Sequence, residues 1–107
     1  MQNIEKIINQ RQYKHIFDMA KRAGELGLKE GVKVYIVGGV VRDLILGRDI
    51  HDLDLMVEGD GIFFARKLAK DIGVKKVVPF EKFGTALIPN KLFQIEIASS
   101  RSETYDS

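Results

Sequence analysis

Asp52-Leu53-Asp54-Leu55 sets two carboxylates two residues apart. They lie at the start of Leu53 to Val57, a stretch whose pattern predicts a β-strand. Side chains alternate along a strand, so Asp52 and Asp54 share one face while Leu53 and Leu55 take the other. Same-face neighbours sit ~6.5–7 Å apart at the backbone. Two such carboxylates can converge on one hard cation, or on a pair of cations ~3.5–4 Å apart. A bare pair of this kind also describes two solvated strand-end residues, so it needs company. Gln94-Ile95-Glu96-Ile97-Ala98 offers some: Ile95 and Ile97 face a core, which sends Glu96 to the opposite side. If that strand lies beside the Asp52–Asp54 strand, three carboxylates meet on one surface. They would repel one another strongly unless a divalent ion sat among them.

The second chemical feature is a glycine turn. Val32-Lys33-Val34-Tyr35-Ile36-Val37 is a β-branched run that reads as a buried strand, and it passes directly into Gly38-Gly39. Val40 to Leu46 then reads as a short helix stopped by Gly47. Two glycines at a strand end allow a tight turn and a close ligand approach without a Cβ in the way. The helix that follows offers free N–H groups to a phosphate. Arg42 lies in its first turn, where a guanidinium fork can clamp phosphate oxygens, and Asp43 can orient Arg42 or a loop amide. A plain strand–helix turn with a surface arginine has the same outline. Neither G-x-G-x-x-G nor G-x-x-x-x-G-K-[ST] occurs.

Competing chemistries fail on spacing. An EF-hand counted from Asp52 puts Met56 at position five and Val57 at position six, where a ligand and a glycine are required. Counted from Asp54, Glu58 falls at position five and Gly59 at position six, but Met56 stands at position three, where a ligand is required. His15 and His51 lack partners at zinc-ligand spacing and read as surface residues. The chain has no cysteine, which removes disulfides, thiolate metal sites and a cysteine nucleophile, and a cytoplasmic location is the expectation. No apolar run approaches the ~18 residues a membrane helix needs. The N-terminus lacks the pattern of a signal peptide. A formal charge of +2, with 30% charged residues scattered along the chain, is compatible with a nucleic-acid partner without pointing to one.

These residues must be positioned by one compact domain, since 107 residues leave no room for a second. Helical spacing runs from Ile4 to Leu28, loosened by Gly24 and Gly27 and broken at Glu30-Gly31. Asp60 is the N-cap of a helix through Ile72, with Gly73 as its stop. Lys75 to Val78 is a short strand, and Gly84 to Ile88 and Leu92 to Ala98 are two more, joined by a turn at Pro89-Asn90-Lys91. The order predicts an α/β (α+β) domain whose mixed sheet is backed by helices. Residues 1–31 would form the N-terminal helix and linker, and 32–107 the sheet and its helices. The final stretch, Arg101 to Ser107, carries no terminating element, and the chain reads as a truncated domain.

Val37-Gly-Gly-Val-Val-Arg-Asp-Leu-Ile-Leu-Gly47 followed by Asp52-x-Asp54 resembles the signature of the class II nucleotidyltransferases. That family holds the tRNA CCA-adding enzymes, the separate A-adding and CC-adding enzymes, and bacterial poly(A) polymerases. Val57-Glu-Gly-Asp60, Phe83-Gly-Thr-Ala86 and Ala98-Ser-Ser-Arg-Ser-Glu-Thr-Tyr105 agree with it, so the likeness runs from about Val34 to Tyr105. It implies a DNA-polymerase-β-like nucleotidyltransferase fold, with Asp52 and Asp54 holding two Mg²⁺ ions and Glu96 as the third catalytic carboxylate. Gly39 and Arg42 match triphosphate-contacting positions, with Gly38 shaping the turn. The implied reaction is attack of a tRNA 3′-hydroxyl on the α-phosphate of ATP or CTP. The family's ribose-contacting R-R-D-F-T-x-N-type motif and base-reading E-D-x-x-R-type motif are not found in this chain, so CCA addition, A addition and poly(A) synthesis stay open, as does a non-catalytic Mg-nucleotide-binding module. The same departure implies weak or no activity for these 107 residues alone.

Overall fold

The computed structural model describes residues 4–48, 50 and 52–100, leaving aside the side chains of 4–12, 41 and 44. His51 and the segment from Arg101 to Tyr105 fall outside the described residues. The first element is one helix, α1 (Ile4–Glu30), which carries Gly24 and Gly27 inside it rather than breaking at them. Gly27 is there for contact. A Cβ on it would stand 2.7 Å from Cγ2 of Val34 and 2.8 Å from the carbonyl oxygen of Val32, so only glycine lets the helix lie this close to the first strand.

That strand, β1 (Val34–Val37), begins two residues later than its β-branched run suggested, and it is not buried: Tyr35 and Ile36 are each 42% exposed. It is one of the two edge strands of the sheet. A β-branched run reads alike whether one or two faces are covered, which is why the edge position was invisible. After it come α2 (Val40–Ile45), β2 (Asp52–Glu58) and α3 (Gly61–Ile72). The ends of α3 are those its caps dictate. Oδ1 of Asp60 accepts from the amides of Ile62 and Phe63 at 3.1 Å each, and Gly73 closes the helix at φ 79°.

The third strand, β3 (Val78–Phe80), lies later than the Lys75–Val78 expectation and leads into an unforeseen 3₁₀ turn, Glu81–Phe83. β4 (Thr85–Ile88) and β5 (Gln94–Ser100) complete the sheet. Its order is β1-β2-β5-β4-β3, with β2 and β5 parallel and every other pair antiparallel. The sheet is mixed, as expected. Leu53, Leu55 and Val57 of β2 and Ile95 and Ile97 of β5 are fully buried on one face, under Phe64, Ala65, Leu68 and Ala69 of α3. Each large apolar side chain so buried is worth roughly 1.5–3 kcal/mol. That burial holds the register of the two central strands, because a slip by one residue would turn Leu53, Leu55, Ile95 and Ile97 into solvent. α1 lies beside α3, joined by Arg22–Asp71 at 3.2 Å and Lys67–Glu30 at 3.3 Å. Among the described residues no helix is long and apolar enough to cross a membrane.

Candidate functional site

Burying the odd-numbered residues of β2 and β5 sends the even-numbered ones to the other face. There the parallel register pairs Asp54 with Glu96 and Asp52 with Gln94. Neighbouring strands are ~4.8 Å apart, so Asp54 and Glu96 meet side by side. Burial is the largest cause that pushes both carboxyls above the usual carboxylate range. The charge of Asp52 adds to it at Asp54, and the charge of Asp54 at Glu96. The hydrogen bond between them lowers Asp54 and raises Glu96 further. Asp52, exposed at the first position of β2, stands one step along the same face. Among the described residues no three acidic, histidine or cysteine side chains close into a metal cage by themselves.

The glycine turn sits on this pair. Val37, the last residue of β1, is the register partner of Asp54, so the chain leaves the sheet directly beside that carboxylate. Gly38 follows at φ 78°, and a Cβ on it would stand 2.8 Å from Oδ2 of Asp54. Both the backbone angle and the space require glycine there. At Gly39 a Cβ would run into the guanidinium of Arg42, so that side chain folds back over the turn. Nε of Arg42 donates to Oδ1 of Asp43 at 3.4 Å, while Nη1 of Arg48 lies 3.9 Å from the same oxygen. The amide of Asp43 also donates to the carbonyl of Gly39 at 2.8 Å, which locks α2 to the turn. The seven residues singled out by sequence thus lie on two adjoining features: Asp52, Asp54 and Glu96 on one face of the central strands, and Gly38, Gly39, Arg42 and Asp43 on the turn and helix that follow β1.

Three participants escaped the sequence reading. Arg48 shares Asp43 with Arg42; its position just after Gly47 was the available signal. Tyr35 donates its hydroxyl to Oε2 of Glu58 at 2.7 Å, further along the acidic face. Strand parity could have paired them only with the register in hand. Ser99 accepts from the amide of Gly61 at 2.7 Å and donates to the carbonyl of Gly84 at 2.7 Å, fixing the start of α3 to the corner before β4. Nothing in the sequence marks that link.

The donor set fits a magnesium ion. Mg²⁺ prefers hard oxygens and is usually held by one or two carboxylates together with substrate phosphates and water, not by an all-protein cage. Asp52 and Asp54 supply such oxygens on one face of β2, with Glu96 of β5 beside Asp54. Arg42 lies alongside, folded over the Gly38-Gly39 turn, where a polyanion would complete the coordination.

Residues 34–107 match the family model described as the poly A polymerase head domain. Over 74 residues the chain is 47% identical to an A-adding tRNA nucleotidyltransferase of Aquifex aeolicus, covering 69% of this chain and 9% of that protein. Over 104 residues it is 33% identical to an A-adding tRNA nucleotidyltransferase of Halalkalibacterium halodurans, covering 96% and 24%. The chain therefore spans a quarter or less of the length of either relative. Among solved structures, a tRNA nucleotidyltransferase complexed with a primer tRNA and an incoming ATP analog is 44% identical with a TM-score of 0.67, covering 77% of this chain and 24% of that one. A CCA-adding enzyme in complex with ATP is 36% identical with a TM-score of 0.74, covering 86% and 22%. The fold is the nucleotidyltransferase fold that the motifs implied.

Proposed function

This chain belongs to the poly A polymerase head domain family, and we propose that it is the nucleotide- and metal-handling part of an RNA nucleotidyltransferase that adds A and/or C residues to the tRNA 3′ end. The observation that carries the reading is the parallel register of β2 and β5, which sets Glu96 against Asp54 with Asp52 on the same face, beside the Gly38-Gly39 turn. Relatives named as A-adding and CCA-adding enzymes, and neighbours solved with tRNA, ATP and CTP, support the choice of substrates.

In the reaction we assign, the 3′-hydroxyl oxygen of the RNA bonds to the α-phosphorus of ATP or CTP. The α–β phosphoanhydride bond breaks, pyrophosphate leaves, and the hydroxyl proton passes to the carboxylate cluster. Asp52 and Asp54 would hold Mg²⁺, with Glu96 beside them as the third catalytic carboxylate. Bound there, the metal supplies charge neutralisation at the phosphoryl group and makes the hydroxyl easier to deprotonate. The absence of a Cβ at Gly38 and Gly39 lets Asp54 and the Arg42 guanidinium close on the turn, where they would face the triphosphate. Arg42 would turn its guanidinium toward phosphate oxygens, and Asp43 holds that side chain at the turn.

The test is nucleotide incorporation by the full-length protein carrying Asp52→Ala or Asp54→Ala, offered tRNAs that end before, within and after CCA. Each change is expected to remove at least ~10²–10³ of the rate, the scale of losing one centre of transition-state charge stabilisation. Undiminished incorporation in either variant would falsify the assignment.

A further inference from the structure

On the helical side of the domain, among the described residues, Arg66, Lys70 and Lys75 stand outside any ion pair, as does Lys29, which also borders a groove with Glu25 and Asp71. Arg66 and Lys70 stand one turn apart on the exposed side of α3, and Lys75 follows the left-handed turn at Gly73. Together with Ala69, Val74 and Val77 they line a groove of about 510 Å³ that contains no acidic residue. A second groove, of about 590 Å³, lies between α3 and the end of α1; it shares Arg66 and Lys70 and adds Lys29 and the half-exposed ring of Phe63. Its two acids are already matched, Glu30 by Lys67 and Asp71 by Arg22. Among the described residues, Lys29, Arg66, Lys70 and Lys75 enter no ion pair.

Helix stability explains only part of this. Lys70 sits in the last turn, where a cation complements the helix dipole, but Arg66 lies a turn earlier and Lys75 lies beyond the helix. The two grooves share a ridge, so the cations form a stripe and not a single pocket. A stripe suits a charge that repeats along a strand. The opposite side of the sheet, with Asp52, Asp54, Glu58 and Glu96, repels phosphodiesters wherever a metal does not intervene. An RNA whose end is worked on at that acidic face needs its backbone held elsewhere.

We propose that the stripe formed by Lys29, Arg66, Lys70 and Lys75 binds the sugar–phosphate backbone of the RNA substrate, an assignment that rests on the RNA-extending function proposed above. Arg66 presents a fork to one phosphate and the lysines present point charges to its neighbours.

The experiment uses the full-length protein with Arg66, Lys70 and Lys75 changed together to Glu, and a second variant with all three changed to Gln. Two quantities are measured: the Kd for a tRNA transcript lacking its terminal A across a salt series, and incorporation of ATP at saturating tRNA. The Glu variant is expected to bind at least ~10-fold more weakly and the Gln variant less severely so. The slope of log K against log salt should shrink by about 2, near 0.7–0.9 for each lost phosphate contact. The turnover at saturating tRNA and the KM for ATP should stay within about twofold. Unchanged Kd and salt slope in the folded Gln variant would overturn the proposal. Should the wild-type protein bind tRNA at this stripe but extend none, the functional reading fails while the backbone site stands.

Discussion

Oδ2 of Asp54 occupies the space that a side chain on Gly38 would need, 2.8 Å from its first carbon. The turn and the carboxylate therefore constrain each other, and the identity of residue 38 is set by the site as much as by the backbone. Gly31 separates the two effects. It has nearly the same backbone angle, φ 76°, with nothing within 4 Å of an added Cβ.

Gly31→Ala is expected to cost about 1–2 kcal/mol of stability, the penalty of a left-handed L-residue, and to leave nucleotide incorporation by the full-length protein intact. Gly38→Ala should cost more than that and lower incorporation at least tenfold, because Asp54 must move. Thermal melts and incorporation rates for the two variants decide it; equal activity in both would mean that the contact with Asp54 has no catalytic consequence.

The carboxylate pair makes stability depend on pH in a particular direction. Burial and neighbouring charge raise the carboxyls of Asp54 and Glu96, so the folded state holds their protons more tightly than the unfolded chain does. That contribution is complete below the ordinary carboxylate range and is lost as pH rises through the raised folded values. In metal-free buffer, Asp54→Asn is therefore expected to raise the melting temperature at neutral pH and to flatten its decline between acid and neutral conditions. A variant that melts lower than wild type at pH 7 and higher at pH 4 would contradict this sign.

Divalent metal should act on the same pair. Mg²⁺ or Mn²⁺ at ten times its Kd would stabilise the wild-type chain by about 1.4 kcal/mol through linkage. For a domain of this size that is a shift of roughly 6–11 °C. Asp54→Asn is expected to abolish the shift, and calorimetry with and without chelator measures it.

Arg42 is assigned to the triphosphate, which makes its geometry matter and not only its charge. Arg42→Ala is expected to raise the KM for ATP about 10–100-fold, the scale of a lost charged hydrogen bond. Arg42→Lys should recover only part of that, because an ammonium offers one point where the fork offers two. Complete recovery by lysine would show that simple charge suffices.

Ser99 tests the scaffold. Its hydroxyl is the partner of both the Gly61 amide and the Gly84 carbonyl, in a place where a Cβ on Gly61 would stand 2.9 Å away. Ser99→Ala leaves the amide without that acceptor and is expected to cost about 1–3 kcal/mol. Denaturant unfolding at constant slope would record it.

Much of this molecule was decided within short stretches of sequence. Asp60 and Gly73 bound α3 because capping is a transaction between residues a few positions apart. Asp52 and Asp54 share a face because strand periodicity is a property of the local backbone. Gly38-Gly39 announced a tight turn for the same reason. What no local pattern contained was who stands next to whom. That Glu96 meets Asp54, that β1 is an edge with Tyr35 open to solvent, that Gly24 and Gly27 lie inside α1, and that Arg66, Lys70 and Lys75 line one groove all depend on strand order and helix packing. Those relations arise from burying Leu53, Leu55, Ile95 and Ile97 against α3, an energy gathered from residues far apart in the chain. Side-chain types and their periods could be read one segment at a time; adjacency belongs to the packed whole.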